Sequence, residues 1–213
     1  MIKTTIDKPA KFTKFSKALL IYAILREYVK HPAWFMLCTV LTLYQFKKKL
    51  PKDVPQDFIE TLELEAWMYT RMKRRIGQEK ALAVMRAIII PVAMVWYGAG
   101  FRLVEAPRTY ENIIKFHELV HAKMIKEDGN LKIDERSDDK YTYRNTFCPW
   151  NNLFKKLGIP ELTEPYCALD NGLYNTYLPG EIIFHRGGIG KTIASGAAYC
   201  QYIYDHHTPE GES

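Results

Sequence analysis

The apolar periodicity of this 213-residue chain changes once, near residue 128, and that change limits the architectures open to it. Upstream, apolar side chains recur at spacings of three and four. Phe58, Leu62, Ala66, Tyr69, Met72 and Ile76 form the clearest run, and Gly77 ends it. Such spacing presents one face of a helix to a core. Downstream, Leu131, Ile133 and Glu135 alternate with Lys132, Asp134 and Arg136, the period of a strand with one buried face. A helical N-terminal half followed by short strands predicts an α+β fold. Its small antiparallel sheet needs a helical layer over one face.

The punctuation residues divide the chain further. Helices are predicted over 12–28, from Pro32 to about Lys48, over 57–75 and over 78–104. The last should be kinked or broken at Pro91, because proline lacks an N–H and clashes with the preceding turn. Thr109 should cap a fifth helix that runs to Lys126 and stops at Asp128-Gly129. Strands are expected over 131–136, 141–147, 181–186 and 198–204, with helices at 150–157 and 162–174. Residues 1–11 read as an irregular basic leader and the last nine as a frayed tail. The length fits one domain, with a helical part at about 12–127 and a cysteine-bearing α/β part at about 129–204. Residues 33–46 and 87–101 are apolar and uncharged, but they are too short to cross a bilayer and read as core helices.

The net charge of +6 is concentrated in residues 1–52, which hold eleven Lys and Arg against two acids. A solvated helix surface is the plainer reading, and peripheral contact with an anionic membrane through this basic region is the alternative. No aromatic-glycine box, zinc finger or basic zipper accompanies the charge, so no nucleic acid partner is expected. The N-terminus shows no secretory signal pattern, and the four cysteines form no short disulfide framework. A reducing, cytoplasmic compartment is expected.

Chemistry gathers in two places. His117-Glu118-Leu119-Val120-His121 matches the H-E-x-x-H pattern in which two histidines hold a metal and the glutamate acts as base. Ile113, His117, Val120, His121 and Met124 share one helical face, so both imidazoles should point inward or into a cleft. A metallopeptidase would need a third ligand, and the extended pattern with a histidine six residues on is absent. The second place is the run carrying Cys148, Cys167 and Cys200. Cys148 opens a turn into a helix whose N-terminal amides would activate a thiolate. Cys167, Asp170 and Tyr174 lie on one helical face, and Cys200 shares a strand face with Tyr202 and Tyr204. The spacing of the three cysteines is not that of a zinc finger or ribbon. Gly187-Gly188-Ile189-Gly190-Lys191-Thr192 imitates part of a phosphate loop, but the first glycine of that pattern is missing and no helix is predicted to follow. It reads as a turn that brings backbone close to a pocket.

Five segments together resemble the L-2-amino-thiazoline-4-carboxylic acid hydrolase family. They are Cys148-Pro149-Trp150, 157–162, Cys167-Ala168-Leu169-Asp170, 182–186 and the stretch from Thr192 to Cys200. The chain departs from the family pattern at Ala168-Leu169 and near Gln201, where acids are usual. The resemblance implies ring-opening hydrolysis of a small cyclic amidine acid. In that reading Cys148 or Cys167 is the nucleophile, and Asp170 or a histidine moves protons. Arg144 or Arg186 clamps the substrate carboxylate beside Tyr174. The other route is a metal-bound hydroxide, with zinc, iron or manganese held by His117, His121 and cysteines including Cys200. A more distant resemblance, to plant-type iron-containing carotenoid isomerases, implies a metal-dependent enzyme acting on a lipid-like substrate. A non-enzymatic small-molecule binding protein with buried cysteines is the third reading.

Overall fold

The computed structural model describes residues 14–54, 56–98, 108–122, 129–188 and 190–207. Among them are α1 (Lys14–Leu25), α2 (Pro32–Lys47), α3 (Gln56–Ile76), α4 (Gln78–Gly98), α5 (Tyr110–Val120), β1 (Leu131–Arg136), β2 (Lys140–Asn145), α6 (Pro149–Lys156), α7 (Thr163–Asn175), β3 (Ile182–His185) and β4 (Cys200–His206). The fold is α+β, with helices dominating the N-terminal half and a four-stranded antiparallel sheet of order β1-β2-β4-β3 in the C-terminal part. The leader, the reach of the fourth helix to residue 104, the stretch to Lys126 and the last six residues lie outside the described residues. Among the described residues, no helix is long and apolar enough to cross a membrane.

The chain divides into two compact units. Of the described residues, those within 14–95 and 149–166 form a helical unit and those within 96–148 and 167–207 a sheet unit. The division does not follow the change of period, because α5 belongs with the sheet.

In the helical unit, Ile59, Leu62, Ala66, Tyr69 and Met72 of α3 are buried, as are Ala81, Val84, Met85, Ile88, Ile89 and Val92 of α4. Gly77 joins the two helices at φ 81°, a left-handed conformation that costs glycine little. α4 continues through Pro91 instead of breaking there. Proline in a helix interior costs about 3 kcal/mol. Burying Ile88, Ile89 and Val92 around it contributes about 1.5–3 kcal/mol each, which outweighs that cost. The returning segment is tied to α3 by Glu161, which accepts from Tyr69 Oη (2.6 Å) and Lys73 Nζ (2.5 Å). α2 departs from the core-helix expectation. Phe35, Thr39 and Phe46 are buried, but Trp34, Leu37, Leu41 and Tyr44 on its other side are exposed.

In the sheet unit, Thr109 caps α5 as expected, its side chain accepting from the Asn112 amide. The β1–β2 ladder is less regular than strict alternation predicts. A bulge between Ile133 and Glu135 lets Arg136, not Glu135, pair with Tyr141. The edge strand β3 is closed by a side chain rather than by another strand. Asn175, at the end of α7, accepts from Phe184 N (2.7 Å) and donates to Phe184 O (3.2 Å), satisfying an edge that would otherwise invite pairing. Asn175→Leu is expected to lower the unfolding free energy by about 2 kcal/mol, because two backbone groups lose partners. Denaturant titration measures this, and an unchanged midpoint would show that the edge does not depend on the amide.

Candidate active site

Strand register assembles an aromatic floor. The β2–β4 pairing sets Tyr143 opposite Tyr202, Tyr141 opposite Tyr204 and Asn145 opposite Cys200, while β3–β4 sets Phe184 opposite Tyr204. Directly opposed residues share a face of the sheet. The Tyr143 and Tyr202 rings stack at 4.5 Å, and Phe184 lies 4.9 Å from Tyr204. α5 lays His117 on this floor, 5.1 Å from both Tyr174 and Tyr204. His121, one turn later, sits 5.6 Å from His117 and 5.7 Å from Tyr143. Both imidazoles point inward, as their helical spacing predicts.

The polar end of the cluster comes from α7 and from the residue that follows β3. Arg186 lies over Tyr202, its guanidinium carbon 3.8 Å from the ring centroid, and its Nη2 donates to Asp170 Oδ2. Only 7% of Arg186 is exposed, yet Nε and Nη1 complete no hydrogen bond of ordinary geometry, the Tyr202 hydroxyl being close enough only to favour the charged guanidinium. His117 Nε2 is likewise buried and unpartnered. Tyr143 and Tyr204 influence each other's ionisation, but neither hydroxyl completes a hydrogen bond of ordinary geometry. Each buried donor without a partner costs about 1–3 kcal/mol. The cluster therefore holds a cation and an imidazole with unused bonding capacity.

Burial governs the ionisation of these groups. It pushes the Asp170 carboxyl up to about 6 while Arg186 pulls the other way. The Cys167 thiol is pushed up to about 12, again against Arg186, with Asp170, Cys148 and Cys200 adding to the rise. Cys167 is therefore a thiol at neutral pH, not a thiolate. His117 is pushed down to about 3 by burial, with His121 adding to the effect, and burial lowers His121 too.

The structure thus gathers His117, His121, Tyr174, Asp170, Arg186, Cys167, Cys148 and Cys200. Cys200 Sγ accepts the Ile193 amide (3.2 Å), holding the turn before β4, and Cys148 immediately precedes α6. Two residues singled out in the sequence stand apart. Glu118 accepts from Arg136 Nε (3.0 Å), which also reaches Glu111 (2.8 Å) through Nη2. The bulge in β1 puts Arg136 on the face of the sheet paired with Tyr141. Arg144 makes a bidentate pair with Asp134 (2.7 Å for both bonds) and sits over the exposed Tyr199 ring. The pair occupies the Nε–Nη2 edge of its guanidinium. Among the described residues, no group of three or more His, Cys, Asp and Glu side chains is arranged to hold a metal.

An open depression of about 550 Å³, lined by Glu135, Ser137, Asp139, Lys140, Asp205, His206 and His207, contains none of the clustered residues. The phosphate-loop-like segment is a turn, as its missing glycine implies. A side chain at Gly187 (φ 73°) would meet Gln201 Oε1 and Ile203 Cδ1, both at 3.3 Å. Sequence reasoning missed Tyr143 and Phe184. Tyrosines at 141 and 143, alternating like those at 202 and 204, were the available signal.

A family model described as L-2-amino-thiazoline-4-carboxylic acid hydrolase matches residues 57–204, from α3 through β4. The match includes α5 and its histidine pair as well as the 148–204 stretch that carries the sequence motifs. No curated protein matches the chain. Among solved structures, the Fe(II) unliganded H-NOX protein from K. algicida is similar over 94% of this chain and 100% of that one. At 10% identity and a TM-score of 0.32, that likeness carries no argument.

The buried neutral His117 has a consequence in acid. Between 6.5 and about 3, the unfolded chain binds a proton at this residue that the folded chain does not. The stability contribution of His117 is therefore present above pH 6.5 and lost as pH falls. His117→Phe is expected to flatten the fall of unfolding free energy in acid by up to about 1.4 kcal/mol per pH unit. Denaturant titrations across that range measure it, and equal slopes in the two proteins would contradict a buried neutral imidazole.

Proposed function

The chain belongs to the L-2-amino-thiazoline-4-carboxylic acid hydrolase family, and on that premise we propose that it opens a small cyclic amidine acid of the 2-aminothiazoline-4-carboxylate type by hydrolysis. The observation that carries the reading is Arg186, a buried guanidinium beside Asp170 whose Nε and Nη1 complete no hydrogen bond of ordinary geometry. A substrate carboxylate accepting from those donors would relieve their desolvation, and a charge-assisted bond to a fixed cation is among the stronger polar contacts available. Arg144, paired with Asp134 at the surface, is not offered this role.

Asp170 serves as the proton carrier. With its carboxyl raised to about 6, it is mostly a carboxylate at neutral pH but close enough to protonation to return a proton. It takes a proton from water as the water oxygen bonds to C2, the ring carbon between nitrogen and sulfur. Collapse of the tetrahedral species breaks the C2–S bond, and the proton passes to sulfur. The product is an N-carbamoyl amino acid with a free thiol, the sum of substrate and one water. Cys167, held as a thiol, supports this acid-base route over direct thiolate attack. Tyr174, His117 and the tyrosine floor are the aromatic groups that the ring would meet beside this pair.

The test is turnover of L-2-amino-thiazoline-4-carboxylate followed by thiol release. Asp170→Asn is expected to lower kcat by about 10²–10⁴-fold, the usual contribution of a positioned proton carrier. Arg186→Lys, which keeps the charge and loses the planar donors, is expected to raise KM by about 10-fold or more. Absence of turnover by the unaltered protein, or variants as active as it, would refute the assignment.

A further inference from the structure

Apart from the sheet unit, α2 carries a surface that its own unit leaves uncovered. Trp34, Leu37, Leu41 and Tyr44 recur at three and four along one stripe and are exposed by 62%, 48%, 67% and 67%, with Val40 beside them at 59%. The opposite side of the same helix buries Phe35, Thr39 and Phe46. A helix apolar on both sides is not a solvated surface helix. The charges carried by the segment itself have one sign. From residue 28 to residue 52 there are five lysines and no acid. Lys30 lies at the N-terminal end of the stripe and Lys47, Lys48 and Lys49 at its C-terminal end, all exposed. Lys48 Nζ is 4.6 Å from the centroid of the Tyr44 ring, while Lys47 pairs with Glu63 (2.6 Å).

We propose that this face of α2 docks on an anionic lipid surface, lying in the plane of the interface. The occupant follows from charge and side-chain type. A second copy of the chain would set lysines against lysines whether the helices ran parallel or antiparallel, since α2 has no acid to answer them. Leucine and valine between the aromatic rings have nothing to recognise on a nucleic acid. Trp and Tyr at headgroup depth, aliphatic side chains below them and lysines reaching outward match an interfacial helix. With 16 residues, α2 is about 24 Å long, suited to lying on a bilayer rather than crossing it. The inference is independent of the proposed hydrolase reaction.

Co-sedimentation of the full chain with phosphatidylcholine vesicles, with and without phosphatidylserine, tests it. Binding is expected only to the vesicles containing phosphatidylserine, and it should weaken as salt is raised. Lys30→Gln and Lys49→Gln are each expected to weaken binding about fivefold. The double variant Leu41→Asp with Tyr44→Asp should abolish it while leaving the far-ultraviolet dichroism unchanged. Failure to bind phosphatidylserine vesicles, or binding that survives the double variant, would overturn the proposal. So would a concentration-dependent dimer that the double variant dissolves, which would make a second copy the occupant.

Discussion

The Arg186–Asp170 pair is the constraint around which the sheet unit is organised. A guanidinium with 7% of its surface exposed needs a counter-charge and a face to lie against. Asp170 supplies the first from α7, and Tyr202 supplies the second from β4. Removing one partner from such a pair typically costs about 3–5 kcal/mol, because the other is left charged and desolvated. Burial displaces the ionisation of this region against the pull of Arg186. Asp170 rises to about 6 and Cys167 to about 12 because each shares the same low-dielectric surroundings.

The scaffold serves this pair through register. Opposed tyrosines on β2 and β4 build an aromatic surface, and the Asn175 amide closes the β3 edge at Phe184, two residues before Arg186. α5 then lays His117 across the tyrosines, where burial keeps its imidazole neutral. One bulge in β1 determines what the rest of α5 does. It turns Arg136 toward Glu111 and Glu118, so the glutamate of the HELVH segment sits in a half-exposed ion-pair network away from the histidines.

Much of this was legible in the sequence because it depends on local spacing. The apolar rows of α3 and α4, the Thr109 cap and the shared face of Cys167, Asp170 and Tyr174 follow from helical geometry alone. The four strands follow from alternation and the turns between them. Less legible was anything set by pairing across the chain. Arg144 looked as suitable a clamp as Arg186, and only the folded β1–β2 hairpin reveals that Asp134 takes its fork. The ion pair between Glu118 and Arg136 was equally hidden, because the bulge that brings Arg136 to it is invisible in a strict alternation. The proline in α4 predicted a kink or a break, and the helix continues through it with buried side chains on either side. The exposed side of α2 was hidden for a similar reason, since an apolar run reads the same whether one face or both are covered.

The central claim is that Arg186 and Asp170 mark the place where a small carboxylic acid binds. A crystal structure of the protein soaked with N-carbamoyl-L-cysteine, the ring-opened product of the proposed reaction, tests it most directly. The account predicts the ligand carboxylate within hydrogen-bond distance of the Arg186 nitrogens, with its carbamoyl carbon facing Asp170. Product bound elsewhere, in the depression lined by Lys140 and His206 for example, with the Arg186 donors untouched, would contradict it.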